Sequence, residues 1–243
     1  MAFTWRRLLI VGSLAVILSM VAAMIFVIEG LIVPMAAFVI GFGVGLGILA
    51  WKERPGAIFL GVLSIVSLAM SLPFALEPLG IPASTADFVL NLVSVIGLLV
   101  VIVAGAAVMR GGPLDDSSGV TLAVGLAFVV VLVGGTAMSI TASVARDDPL
   151  AQPGDLDLTA KDIEFHPSEL VTKPGAVTVF IENEDLTAHT FTIDELDVEE
   201  VIPGGASARV VLALESKTYR YYCTIAGHEE MEGELNVAEL LGT

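Results

Sequence analysis

The residues most able to do chemistry lie near the C-terminus, in Tyr221-Tyr222-Cys223-Thr224-Ile225-Ala226-Gly227-His228-Glu229-Glu230-Met231-Glu232-Gly233. This stretch holds the only cysteine of the chain, one of its three histidines and the only methionine beyond Met138. A thiolate, an imidazole and a thioether within nine residues suit a soft, redox-active metal, copper above all. The stretch lacks a second imidazole. His189 can supply it from upstream, at the end of Asn183-Glu184-Asp185-Leu186-Thr187-Ala188-His189. Two histidines and a cysteine in a near-trigonal plane, with a weak axial methionine, make up a mononuclear electron-transfer copper site.

Such a set needs strands whose ends converge. Cys223, His228 and Met231 would sit on one loop between the runs Lys217–Cys223 and Glu232–Ala238, and His189 would open the run His189–Ile193. Other short β-rich runs are Leu156–Phe165, Glu169–Thr172, Ala176–Asn183 and Ala206–Leu214. Turn formers punctuate them at Lys173-Pro174-Gly175 and Pro203-Gly204-Gly205, and Val177-Thr178-Val179-Phe180-Ile181 alternates as a half-buried strand does. Strands of this number and length predict an all-β Greek-key sandwich. Thr190, Thr224 and Asn183 are expected beside the ligands, where they can orient them.

From about Leu156 onward the chain resembles the cupredoxin (type 1 blue copper) family, plastocyanin-like in its ligand order. The likeness rests on Asp162-Ile163-Glu164-Phe165-His166-Pro167, the Asn183-to-His189 run, Tyr222-Cys223, Gly227-His228 and Met231-Glu232-Gly233. It implies a cupredoxin-type sandwich holding one copper ion through His189, Cys223, His228 and Met231. It further implies that His228 is the electron port, bordered by Ile225 and Ala226. The related binuclear copper centre of cytochrome oxidase subunit II needs two cysteines, and this chain has one. His166 precedes Pro167 in a turn-like position and is read as a surface residue.

Composition divides the chain into unlike parts. It has 243 residues, 56% of them hydrophobic, a mean hydropathy of +0.88 and a formal charge of −16. Residues 1–143 carry five basic and six acidic groups, whereas 144–243 carry six and 21. Five uncharged runs reach the roughly 20 residues that a bilayer requires: Leu8–Ile28, Leu31–Trp51, Ala57–Leu76, Phe88–Met109 and Gly119–Ala145. Backbone groups in lipid must be satisfied within the segment, so these are expected to be helices. The predicted organisation is a transmembrane helical domain over 1–145, a linker over 146–155 and a copper domain over 156–243. Gly41, Gly43, Gly45 and Gly47, together with Ser64, Ser67 and Ser71, offer small-residue faces for close helix packing.

Arg6, Arg7, Lys52, Arg54 and Arg110 all fall on one side of such a bundle, while Glu29-Gly30 and Glu77–Asp87 carry no lysine or arginine. The positive-inside rule then predicts a cytoplasmic N-terminus, with Trp5 and Trp51 as interfacial anchors and the C-terminal domain outside. A single cysteine excludes an intrachain disulfide. No histidine lies in the helical part, which argues against a histidine-ligated haem there. The expectation is a membrane-anchored, non-enzymatic carrier of single electrons. It would serve redox protein partners such as respiratory complexes, contact membrane lipid and bind no nucleic acid. The competing expectation is copper acquisition, storage or delivery, motivated by Met20, Met24, Met35, Met70 and Met138 in the outer halves of the spans.

Overall fold

The computed structural model describes residues 3–28 and 30–238. Glu29, in the first loop read as outward-facing, and residues 239–243, the end of the expected copper domain, lie outside it, as do Met1 and Ala2. The chain divides into two compact units, Met1–Leu79 with Phe88–Ile140, and Gly80–Asp87 with Thr141–Thr243.

Among the described residues, five helices are long and apolar enough to cross a membrane: α1 (Trp5–Phe26), α2 (Val33–Trp51), α3 (Glu53–Gly80), α4 (Thr85–Met109) and α5 (Gly119–Ala145). Local chemistry sets their starts. The Thr4 hydroxyl accepts from the Arg7 N–H at 3.3 Å to cap α1, and Pro34 stands in the first turn of α2, where no N–H is needed. In α3, Pro73 and Pro78 are carried inside the helix, so it continues past the expected end at Leu76. Small residues set the closest approaches. A Cβ on Gly105 would lie 3.0 Å from the Gly61 Cα and one on Gly12 3.1 Å from the Gly97 carbonyl oxygen. Of the α2 glycines, Gly41 and Gly45 meet Leu63 and Leu60, whereas Gly43 and Gly47 face open space. The small-residue face of α2 is therefore one row at i, i+4 spacing, half of what the glycine run suggests. Ser64 and Ser67 are fully buried, and the Ser71 hydroxyl bonds back to the Leu68 carbonyl.

The second unit contains two sheets. One has the order β2-β1-β4-β7, from β1 (Leu156–Lys161), β2 (Glu164–His166), β4 (Gly175–Asn183) and β7 (Ser207–Leu214). The other has the order β3-β9-β8-β5-β6, from β3 (Glu169–Thr172), β9 (Glu232–Val237), β8 (Thr218–Tyr222), β5 (His189–Ile193) and β6 (Val198–Ile202). Between them lies an apolar core that includes Leu158, Phe165, Ile181, Phe191, Leu212, Tyr219, Tyr221 and Leu235. Phe165, Phe191 and Tyr221 stack in tilted and edge-on pairs with centroids 5.2–6.4 Å apart. Tyr221 lies across Gly233, its cross-strand neighbour, where any Cβ would run into the phenol and the Ser168 carbonyl.

Two expectations are corrected. Leu156–Phe165 is a hairpin, not one strand. Asp162 and Ile163 both take positive φ, 56° and 60°, and turn the chain so that Lys161 pairs with Glu164. That geometry belongs to a tight hairpin turn usually made by Asn or Gly, so Ile163 conceals it. The strand β6 was not expected because Val198-Glu199-Glu200-Val201 is acidic, yet it pairs along the whole of β5 as a sheet edge, where charge is tolerated. Within the second unit, Asp155 is gripped by Arg209 through two bonds of 2.7–2.8 Å, which holds its carboxyl below the usual range.

Candidate metal centre

The strand β5 is buried at all five positions and runs between β8 and the edge strand β6. His189 opens it, fully buried and paired with Ile202. Cys223 follows directly on β8, and its N–H donates to the Met231 carbonyl at 3.0 Å, closing the loop at its base. Inside the loop, His228 N–H donates to Ile225 O at 3.0 Å and Met231 N–H to His228 O at 2.9 Å. Gly227, at φ 93°, makes the left-handed step that turns the chain into His228.

These constraints bring His189, Cys223 and His228 together, with one ligand atom from each lying within 4.8 Å of the others. The Cys223 Sγ is 3.6 Å from the His228 Nδ1 and 4.0 Å from the His189 Nδ1, and the two imidazole centroids are 4.9 Å apart. Met231 is buried at the end of the same loop. His166, by contrast, is exposed on β2, with its Nε2 3.8 Å from Glu164.

The protonation pattern follows from the partners. Burial raises the Cys223 pKa, but His189, His228 and the backbone N–H groups of Thr190 and Ile225 outweigh it and bring the thiol to about 5, so it is a thiolate at neutral pH. Burial likewise lowers the His189 pKa, and Asp185 and Cys223 together turn the net shift upward. The His189 Nε2 lies 2.7 Å from the Asp185 Oδ2. An ionised carboxylate only accepts, so Nε2 carries the proton and, in the neutral ring, Nδ1 presents a lone pair to the sulfur. Without metal, a proton on Nδ1 offsets the buried thiolate, and a metal cation can take that proton's place between nitrogen and sulfur. The donor set of imidazole nitrogen and thiolate sulfur fits copper.

Of the three neighbours expected from the sequence, Thr190 and Thr224 lie beside this group. Thr190 N–H donates to the sulfur at 3.4 Å, and the Thr190 hydroxyl accepts the Thr224 N–H at 2.7 Å. The Thr224 hydroxyl donates to Glu199 at 3.0 Å, fastening the loop to β6. Asn183 works from further back, with its side-chain amide on the Thr187, Ile202 and Pro203 carbonyls. Sequence reasoning missed Asp185. Its signal was present as a carboxylate four residues before the histidine, but only the fold aims it at the ring.

The expected port is less open than a surface patch. His228 and Ile225 are each 8% exposed and Ala226 is half-buried. His228 nevertheless lines a groove of about 600 Å³ whose walls include Asp162, Glu164, Glu229, Glu230 and Glu232.

Residues 127–237 match the family model described as a cupredoxin-like domain. The C-terminal part of this chain is a cupredoxin-like domain. The chain is similar to a reduced amicyanin at 20% identity, over 36% of this chain and 86% of the other, with a TM-score of 0.32. It is also similar to a Cu-containing nitrite reductase from Thermus scotoductus (24% identity, 40% of this chain, 25% of the other, TM-score 0.30). A purple cupredoxin from Nitrosopumilus maritimus is similar at 19% identity over 35% of this chain and 100% of the other, with a TM-score of 0.28. No curated protein matches the chain.

Proposed function

We propose that the chain is a membrane-anchored carrier of single electrons whose cupredoxin domain holds one copper ion through His189, Cys223, His228 and Met231. The observation that carries this reading is the convergence of two imidazole Nδ1 atoms on the Cys223 sulfur, away from water. When bound, copper supplies a one-electron couple that no side chain of this chain provides. The protein's own contribution is rigidity. His189 is fixed by Asp185, the sulfur by the Thr190 and Ile225 N–H groups, and the loop by the Met231 carbonyl and Glu199. Ligands held in this way have little to rearrange between two charge states, and the role requires no substrate cavity.

The five apolar helices anchor the domain in a membrane, and the basic residues at Arg6, Arg7, Lys52, Arg54 and Arg110 favour an extracytoplasmic cupredoxin domain. The acidic groove beside His228 suits a basic redox protein, with the carboxylates raising its rate of encounter. Respiratory complexes in the same membrane are the partners proposed, since anchoring raises the effective concentration of the carrier where they sit. Methionine placement does not favour the copper-delivery alternative. Met70 and Met138 are more than half exposed on their helices, Met24 and Met35 are half-buried and Met20 is buried, a mixed set that singles out no lining for copper.

The test is optical and electrochemical. Copper-loaded full-length protein in detergent is expected to show an intense thiolate-to-copper band, to be reduced reversibly, and to exchange electrons with a basic partner at a rate that falls with salt. A colourless, redox-silent protein overturns the proposal.

A further inference from the structure

Asp185 has a role that the ligand set alone does not contain. Its carboxylate is largely buried, with the side chain 15% exposed, and receives three donors. These are the His189 Nε2–H at 2.7 Å, the Asp162 N–H at 2.9 Å and the Ile163 N–H at 3.2 Å. The last two come from the β1–β2 hairpin turn, where Ile163 adopts a φ of 60° that a β-branched residue rarely takes. That turn aims two consecutive N–H groups at one carboxylate, which compensates for the unfavourable backbone. From the other side, the Asp185 N–H donates to the Asn183 Oδ1 at 2.9 Å. The carboxylate thus has one position and one net charge directed at the far nitrogen of a buried imidazole.

We infer that Asp185 is a positioning and charge-tuning residue for the metal centre, holding His189 in the Nε2-protonated form and lowering the reduction potential of a copper ion bound at Nδ1. The inference rests on the copper reading for its second half only. A carboxylate on Nε2–H raises the basicity of Nδ1, and a more basic nitrogen favours the higher oxidation state. The same arrangement makes the hairpin turn part of the site. Asp162 and Ile163 line the acidic groove, so one wall of the groove is one hydrogen bond away from the carboxylate that grips His189.

Two variants separate charge from shape. Asp185→Asn keeps an oxygen for the His189 Nε2–H and the Ile163 N–H, gives up the bond from the Asp162 N–H and removes the charge, and Asp185→Ala removes every acceptor and the charge. In the full-length, copper-loaded protein, D185N is expected to keep the intense thiolate band while the relative affinity for Cu(II) over Cu(I) falls about tenfold. That change is a rise of about 59 mV for one electron. A purely structural Asp185 would leave the D185N potential at the wild-type value, and that result overturns the tuning role. The positioning role is read without metal, from the imidazole 15N shifts of histidine-labelled full-length protein, which has three histidines. The wild type is expected to show His189 protonated at Nε2 and D185A a mixture of tautomers. Identical shifts in the two overturn the assignment. A wild type without the thiolate band sinks the copper reading and leaves this second measurement intact.

Discussion

Asn183 offers a measurable test of how the centre is held. Its side chain is 1% exposed and fully engaged. The amide donates to the carbonyls of Thr187, Ile202 and Pro203 at 2.9, 3.0 and 3.1 Å, and Oδ1 accepts from the Asp185 N–H at 2.9 Å. Two protons shared by three carbonyls, plus one accepted bond, amount to about three hydrogen bonds. At about 1 kcal/mol net for each, Asn183→Ala should destabilise the cupredoxin domain by about 3 kcal/mol. Against a total stability of about 5–15 kcal/mol this is a large fraction, and it corresponds to roughly a hundredfold rise in opening. Hydrogen exchange of the full-length protein reads it directly. Amides of β4, β5 and β6 should lose about a hundredfold in protection, with α1–α5 unchanged. Asn183→Asp should be worse than alanine, because an acceptor-only group would face three carbonyls. Protection within about threefold of wild type in N183A, or N183D more stable than N183A, would refute the reasoning.

Cys223→Ser should abolish the thiolate-to-copper band while the far-ultraviolet dichroism is kept, since a neutral hydroxyl is a poor ligand for a soft metal, and a retained band excludes Cys223 as a ligand. In metal-free protein, the Cys223 pKa is depressed from 9.0 to about 5. Its contribution to stability is therefore complete above pH 9 and is lost as pH falls through about 5. Thiolate absorbance stepping near pH 5 supports this, and a step near pH 9 contradicts it. In the helical unit, Gly105→Leu should lower the thermal midpoint in detergent by the equivalent of about 1–3 kcal/mol, because its Cβ meets the Gly61 backbone at 3.0 Å. Gly47→Leu, at a position with nothing within 4 Å, is the matched control and should be tolerated. Equal effects of the two would remove the argument for a glycine-mediated crossing of α3 and α4.

Much of the centre was legible in the sequence because its chemistry is rare there. A lone cysteine, a histidine and a methionine within nine residues leave few other uses, and apolar runs near 20 residues have one common physical meaning. Strands with a clear alternation, such as β4 and β7, were equally visible. Three things were hidden. The β1–β2 turn was masked by isoleucine at a left-handed position, β6 by its run of glutamates, and the role of Asp185 by its ordinariness in an acidic stretch.

The dividing line is the range of the interactions. Residue type and spacing along the chain determined the helices, most of the strands and the identity of the candidate ligands, since these depend on local periodicity and on the softness of the donor atoms. Tertiary structure decided which nitrogen of His189 faces the sulfur and how far His228 is buried. It also decided that a hairpin far upstream secures the Asp185 carboxylate. Those depend on groups from separate strands meeting at hydrogen-bond distance, and no pattern within one segment encodes that.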